Sequence, residues 1–135
     1  MHHVNREVPL LLLLAVTLAM GAPAQSKNTA KDTSGGTTTQ LITFVELGSV
    51  KCVPCRMMQP VMKNIEGKYG SQIKVIFHDI WNEDQKKYAR EYDIQVIPTQ
   101  VFLDKEGKEV FRHEGYFPES EIDALLAKHG LRPNS

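Results

Sequence analysis

The chain has 135 residues, of which 41% are apolar and 24% charged, and its 16 basic and 16 acidic side chains cancel. This length and composition leave room for one globular domain of ordinary size. The balanced charge, without a basic run, argues against a nucleic-acid-binding protein, and two cysteines are too few for a small disulfide scaffold.

The N-terminus has the pattern of a signal peptide over residues 1–24. Arg6 supplies positive charge, an apolar stretch covers residues 10–20, and Ala22 and Ala24 form a small-x-small cleavage pattern. The apolar stretch is shorter than the roughly 20 residues that a spanning helix needs. We therefore expect export, to the periplasm or the medium, followed by a flexible polar leader over residues 25–40 and a folded domain over residues 41–135.

Seven elements follow in the order β-α-β-α-β-β-α. Apolar, β-branched stretches predict strands over 41–47, 73–78, 99–103 and 108–113, the last two joined by a hairpin turn at 104–107. Helices are predicted over 52–69, with Pro60 as a kink and Gly70 as its end, over 83–92, capped by Asn82, and over 118–129. Strands that alternate with helices favour parallel pairing, and the hairpin adds an antiparallel edge. The prediction is an α/β fold with a mixed four-stranded sheet and helices on both faces.

The motif Cys52-Val53-Pro54-Cys55 directly follows a predicted strand and begins a helix. Residues three apart on a helix share one face, so the two sulfurs lie close enough to bond. A helix N-terminus favours an anion and should lower the pKa of Cys52, and the thiolate is the species that reacts. We predict that Cys52 attacks a partner's disulfide and that Cys55, further into the helix, resolves the mixed disulfide.

Two other interpretations of the cysteines are weaker. A structural zinc site needs four ligands at defined spacing, and the histidines of the folded part, His78, His113 and His129, are scattered. An inert buried bridge would not need a helix N-terminus, and a loop this short stabilises little. The sequence therefore favours redox chemistry without a metal or other cofactor.

From residue 41 onward the chain resembles the thioredoxin superfamily, in particular its small exported bacterial members. The resemblance is carried by four segments: residues 44–46 (Phe-Val-Glu), residues 52–60 (Cys-Val-Pro-Cys-Arg-Met-Met-Gln-Pro), residues 97–99 (Ile-Pro-Thr) and Gly115. It implies that Cys52 is the nucleophile and Cys55 the resolving thiol. It also implies that Pro98 is cis and faces them, that Ile97 offers backbone groups to an extended substrate, and that Gly115 leaves room beside the site. Val53 and Pro54 would belong to the same substrate-binding surface.

The resemblance also assigns a role to Glu46, which falls where thioredoxins carry a buried aspartate. A buried carboxyl has a raised pKa and can take the proton of Cys55. The alternative is that Glu46 is a strand-end residue exposed to water, which would have no such role. The family lysine that pairs with this acid has no clear counterpart. His78 is a possible substitute, although we expect it to be an ordinary solvent-facing residue, and Trp81 is expected to be a packing residue.

The function that these observations predict is a monomeric protein thiol-disulfide oxidoreductase acting on exported proteins. Resemblance suggests a reductase that receives electrons from a membrane-embedded relay protein. The Val-Pro pair between the cysteines does not decide the direction, so a disulfide-forming oxidase stays open. A non-catalytic binding module that holds extended chains near Pro98, or a metal chaperone, are the alternatives from other classes.

Overall fold

The computed structural model describes residues 40–135, so the predicted signal peptide and nearly all of the predicted leader lie outside the described residues. The elements follow the predicted order. The strands are β1 (Ile42–Gly48), β2 (Ile73–Asp79), β3 (Thr99–Asp104) and β4 (Glu109–Glu114). The helices are α1 (Val53–Tyr69), α2 (Lys87–Glu91) and α3 (Glu119–Lys128), and a short 3-10 turn (Gly70–Gln72) follows α1.

The four strands form one mixed sheet in the order β2-β1-β3-β4. β1 and β2 are parallel, but β3 is antiparallel to both of its neighbours, so the predicted parallel pairing is wrong for β3. Thr99 at the start of β3 lies opposite Leu47 near the end of β1. With only five residues, α2 rises about 8 Å and cannot carry the chain back along strands of roughly 23 Å. The chain therefore enters β3 at the edge where β1 and β2 end.

The sheet has a helical layer on each face, as predicted. Along β1, Ile42 and Phe44 project into a cluster with apolar residues of α1 and α3, including Met58, Ile65 and Leu126. The alternate residues Val45 and Leu47 pack with Val101, Tyr88 and Tyr92 on the opposite face, where α2 lies. The alternation follows from the two-residue period of a strand, and it places residue 46 on the α1 side.

Helix α1 has the predicted extent. Its buried residues recur every three or four positions: Cys55, Met58, Val61, Met62, Ile65 and Tyr69. Pro54 lies in the first turn, where an N–H has no acceptor within the helix, and Gly70 ends the helix with φ of +54°. Among residues 40–135, no helix combines the length and the apolar character needed to cross a bilayer.

Helix α2 is shorter than predicted, because Asn82 makes the capping bonds of a first turn but that turn does not continue as a helix. Its side-chain oxygen accepts the N–H of Asp84 at 3.1 Å, and its carbonyl accepts from Gln85 and Lys86. These local bonds build turns up to residue 86, and the helix begins only at Lys87.

Candidate active site

The two cysteines lie where the loop after β1 enters α1. Cys52 is the N-cap of the helix, and its Sγ accepts the backbone N–H of Cys55 at 3.3 Å. The two side chains are joined as a disulfide. Cys52 is 8% exposed and Cys55 is 0% exposed. A partner protein can therefore reach Cys52, whereas Cys55 is accessible only to Cys52.

A tight turn brings Cys52 to the helix start. The N–H of Cys52 donates to the carbonyl of Ser49 at 3.1 Å, and the N–H of Lys51 donates to the Ser49 hydroxyl at 3.2 Å. The first helical bond follows, from the N–H of Arg56 to the carbonyl of Cys52 at 3.0 Å. The free N–H groups of the first turn and the helix dipole favour a negative charge on the Cys52 sulfur once the disulfide is reduced.

Gly48, the last residue of β1, lies in the site but is not among the site residues predicted from the sequence. A Cβ added at this position would lie 3.1 Å from Cys55 Cβ, 3.3 Å from Cys55 Sγ and 3.4 Å from the ring of Phe77. The missing side chain lets the end of β1 approach the buried cysteine closely. A glycine directly after an apolar strand and four residues before a Cys-x-x-Cys motif was the only signal available.

Glu46 lies two residues before Gly48 on the same face of β1, beneath the start of α1. It is fully buried, and neither carboxyl oxygen has a hydrogen-bond partner among the described residues. Burial raises the pKa of Glu46 from 4.5 to about 8, and Gln100 on β3 opposes this shift to a smaller extent. The alternative of a solvent-exposed strand-end residue is thereby wrong.

The segment before β3 lies at the same edge of the sheet as Gly48. The peptide bond between Ile97 and Pro98 is cis, the isomer that the resemblance implies. Pro98 is buried, and its carbonyl accepts the N–H of Gly115 at 2.8 Å, while the Thr99 hydroxyl donates to the Val96 carbonyl at 2.8 Å. These bonds fix the segment beside the end of β1.

Comparison with known proteins agrees with this geometry. A family model described as a thioredoxin-like domain matches residues 27–130. Thioredoxin of Porphyra purpurea is 36% identical over 86 residues, which cover 64% of this chain and 78% of that protein, and thioredoxin of Bacillus subtilis is 26% identical over 92 residues, 68% and 86% of the two chains. A mutant thioredoxin from Halobacterium salinarum has the same fold, with a TM-score of 0.57 and 21% identity over 67% of this chain and 75% of that one.

This chain belongs to the thioredoxin-like domain family. The family match over residues 27–130 covers more than half of the chain and includes the Cys-x-x-Cys pair at the start of α1. A thioredoxin-like domain with Cys52 and Cys55 so placed indicates a thiol-disulfide oxidoreductase that acts on protein disulfides.

Several apolar side chains in the loops of this thioredoxin-like domain are exposed. Val53, between the cysteines, is 60% exposed, and Val96, before the cis-proline segment, is 48% exposed. Trp81 was expected to be a packing residue, but it is 58% exposed and lines a cavity of about 360 Å³ with Val50 and Lys51. The prediction was wrong because residues 80–86 form turns, which hold the indole at the surface instead of in a helix face.

His78 is neither a partner of Glu46 nor an ordinary surface residue. Its ring stacks on Tyr88 at a centroid distance of 3.6 Å, and Nδ1 lies 3.4 Å from the side-chain oxygen of Gln85. Partial burial of the ring disfavours the charged form and lowers the pKa of His78. In the register of β1 and β2, Phe77 and not His78 lies opposite Glu46, so His78 faces the α2 layer.

Proposed function

We propose that this protein is an exported thiol-disulfide reductase that acts as a monomer on disulfides of other exported proteins. The observation that supports it is the stack of three groups at the end of β1. Cys52 can be reached from solvent, Cys55 is fully buried, and Glu46 is buried in β1, on the same face as Gly48, which lies against Cys55. We infer that Cys52 is the attacking thiol, that Cys55 is the resolving thiol and that Glu46 is the proton acceptor of Cys55.

The reaction consists of two exchanges. The Cys52 thiolate attacks one sulfur of the partner's disulfide, a Cys52–partner bond forms, and the other partner sulfur leaves as a thiolate. Cys55 then gives its proton to the Glu46 carboxylate and attacks Cys52. The Cys52–Cys55 disulfide forms, the second partner sulfur leaves, and the partner has gained the two electrons that the cysteine pair has lost.

An exported reductase needs a source of electrons, because the compartments outside the cytoplasm are oxidising. We propose that a membrane-embedded relay protein with its own thiol pair reduces the Cys52–Cys55 disulfide. Export itself is supported by the signal-peptide pattern of residues 1–24. Export is tested by expressing the full chain and measuring the intact mass of the protein in the extracytoplasmic fraction. A protein that stays in the cytoplasm with residues 1–24 still attached would contradict export.

Insulin reduction by dithiothreitol is the test of activity. The wild-type protein should accelerate it, Cys52→Ser should be inactive, and Cys55→Ala should accumulate a mixed disulfide visible on non-reducing gels. The double variant Cys52→Ser with Cys55→Ala is the matched control and should trap nothing. A Cys55→Ala protein that traps no partner, or a Cys52→Ser protein as active as wild type, would contradict the proposed mechanism.

The direction of the exchange is tested by the equilibrium of Cys52 and Cys55 with glutathione. Thioredoxin and the strongest periplasmic oxidant differ by about 150 mV, which is roughly 7 kcal/mol for two electrons. We expect a potential near that of thioredoxin, about −270 mV. A value near −120 mV would instead indicate the disulfide-forming oxidase. A protein that is inactive in either direction but still binds unfolded chains would indicate a binding module.

A further inference from the structure

A second buried polar side chain lies directly beside Glu46 and outside the cysteine motif. Gln100 is opposite Glu46 in the antiparallel register of β1 and β3, so both side chains project from the same face of the sheet. Both residues are 0% exposed. Two adjacent polar groups in an apolar core destabilise the fold unless they interact, so the pair calls for a specific role.

The loop after β4 fixes the orientation of the Gln100 amide. Its Nε2 donates one hydrogen to the carbonyl of Gly115 at 3.1 Å, and the N–H of Gly115 donates to the carbonyl of Pro98 at 2.8 Å. If the Gln100 amide were rotated by 180°, its oxygen would face the carbonyl oxygen of Gly115, and both are acceptors. The contact with Gly115 therefore identifies the atom that faces it as the amide nitrogen. An amide nitrogen carries two hydrogens, and the bond to Gly115 uses only one of them.

Within residues 40–135, no cation is paired with Glu46. On β2 the residue opposite it is Phe77. The titratable groups around it are Cys55, which approaches from α1, and two residues further along the same face of the sheet. These are Asp79 on β2, opposite Gly48, and His113 on β4, opposite Gln100.

We propose that Gln100 is a positioning residue whose second amide N–H bonds to the Glu46 carboxylate when Glu46 ionises and so sets how readily Glu46 takes the proton of Cys55. In the structure, neither Glu46 oxygen accepts a hydrogen bond from the described residues. The inference deepens the proposed function and rests on it for its role in the reaction. The hydrogen bond favours the ionised carboxylate and weakens when the proton arrives from Cys55. In agreement, Gln100 lowers the pKa of Glu46, against the larger effect of burial. The same amide ties Glu46 to the cis-Pro98 segment through Gly115.

The direct test is the titration of the Glu46 carboxyl by carbon-13 NMR in the oxidised protein, where the cysteines do not titrate. Gln100→Met keeps the length of the side chain and removes the donor. We expect the Glu46 midpoint to move up, with the ionised fraction at pH 7 falling by about tenfold. An unchanged midpoint would overturn the proposal, and a downward shift would show that Gln100 stabilises the protonated acid instead.

Thr99→Val is the matched control, because it removes the Thr99 hydroxyl bond to Val96 at 2.8 Å in the same segment but on the other face of β3. It should leave the Glu46 midpoint in place. If Gln100→Met does not fold, Gln100→Asn, whose amide is one methylene shorter, serves in the same titration and should also raise the midpoint.

The second readout is the pH profile of the step in which Cys55 releases a trapped partner. Gln100→Met should move this profile to higher pH in the wild-type background and should have no effect on it in a Glu46→Gln background. An equal effect in both backgrounds would show a purely structural role and overturn the proposal. The NMR titration needs no activity, so it decides the Gln100 contact even if insulin reduction is absent and the proposed function fails.

Discussion

Polar side chains lie at both ends of helix α1. Within residues 40–135, some of their oxygens lack hydrogen-bond partners at the N-terminal end, whereas those at the C-terminal end are hydrogen-bonded. Beneath its N-terminal end, both carboxyl oxygens of Glu46 and the side-chain oxygen of Gln100 are buried without a hydrogen-bond partner among the described residues. At its C-terminal end, Lys68 donates to Asp123 at 2.8 Å, and the Tyr69 hydroxyl donates to another oxygen of the same carboxylate at 2.9 Å. One end leaves polar groups unpaired, and the other pairs them across the α1–α3 contact.

The difference shows which end of α1 is shaped by chemistry and which by stability. Buried polar groups without partners destabilise the folded state, so a domain keeps them only where an unpaired group has a use. Under the proposed function, an ionisable carboxyl that is not paired with a cation among the described residues is what Cys55 needs as a proton acceptor. The satisfied network at the far end contributes stability without touching the cysteines. Three variants test this contrast.

Replacing Glu46 by Gln should have the largest effect. Folding holds this carboxyl protonated up to about pH 8, whereas the unfolded chain ionises it above 4.5. The wild-type protein therefore loses stability as the pH rises between these values, by about 1.4 kcal/mol per pH unit. Glu46→Gln removes that loss and should raise the free energy of unfolding by about 3 kcal/mol at pH 7 and by almost nothing at pH 4.

Urea unfolding at several pH values measures this difference. Glu66→Gln, at an exposed position of α1, is the control and should change the free energy of unfolding little at any pH. The same Glu46→Gln protein should release a trapped partner more slowly, because Cys55 loses its proton acceptor. A variant less stable than wild type at pH 7 would mean that a cation pairs with the carboxylate and that the two ends of α1 do not differ as described.

Gly48→Ala should have an intermediate effect at the N-terminal end. The new Cβ would lie 3.1 Å from Cys55 Cβ, so the cysteine or the strand must shift by a few tenths of an ångström. We expect a loss of about 1 kcal/mol, since overpacking outweighs the entropy gained in the unfolded chain. Gly67→Ala in α1 meets nothing within 4 Å and should stabilise by up to about 1 kcal/mol. Thermal unfolding compares the two, and equal shifts would contradict the close approach at Gly48.

The same contrast explains what could be predicted from the sequence. Local signals define α1 fully: a cysteine as N-cap, a proline in the first turn, apolar residues every three or four positions and a glycine at the end. The position of Glu46 followed from the family resemblance, and its burial from the apolar strand around it. These features depend on neighbours in the chain or on a single strand.

Features that depend on contacts between distant segments were missed. The antiparallel β3 follows from the shortness of α2, which the turns around Asn82 cause. Gln100 looked like any polar residue in a strand until the register placed it opposite Glu46. Trp81 and His78 were assigned to the wrong environments because both flank that misjudged segment. Strand register and turn geometry are set by the whole fold and not by local composition.

Tyr69→Phe should have the smallest effect, at the far end of α1. It removes the hydroxyl that donates to Asp123 at 2.9 Å and leaves the buried ring and the pairing of Asp123 with Lys68 in place. The expected loss is about 1 kcal/mol in urea unfolding, with insulin reduction unchanged. Tyr92→Phe, on the opposite face of the sheet, is the control, since the Tyr92 hydroxyl makes no side-chain hydrogen bond within residues 40–135. A Tyr69→Phe protein with normal stability but altered insulin reduction would contradict the assignment of stability to this end of the helix and of chemistry to the other.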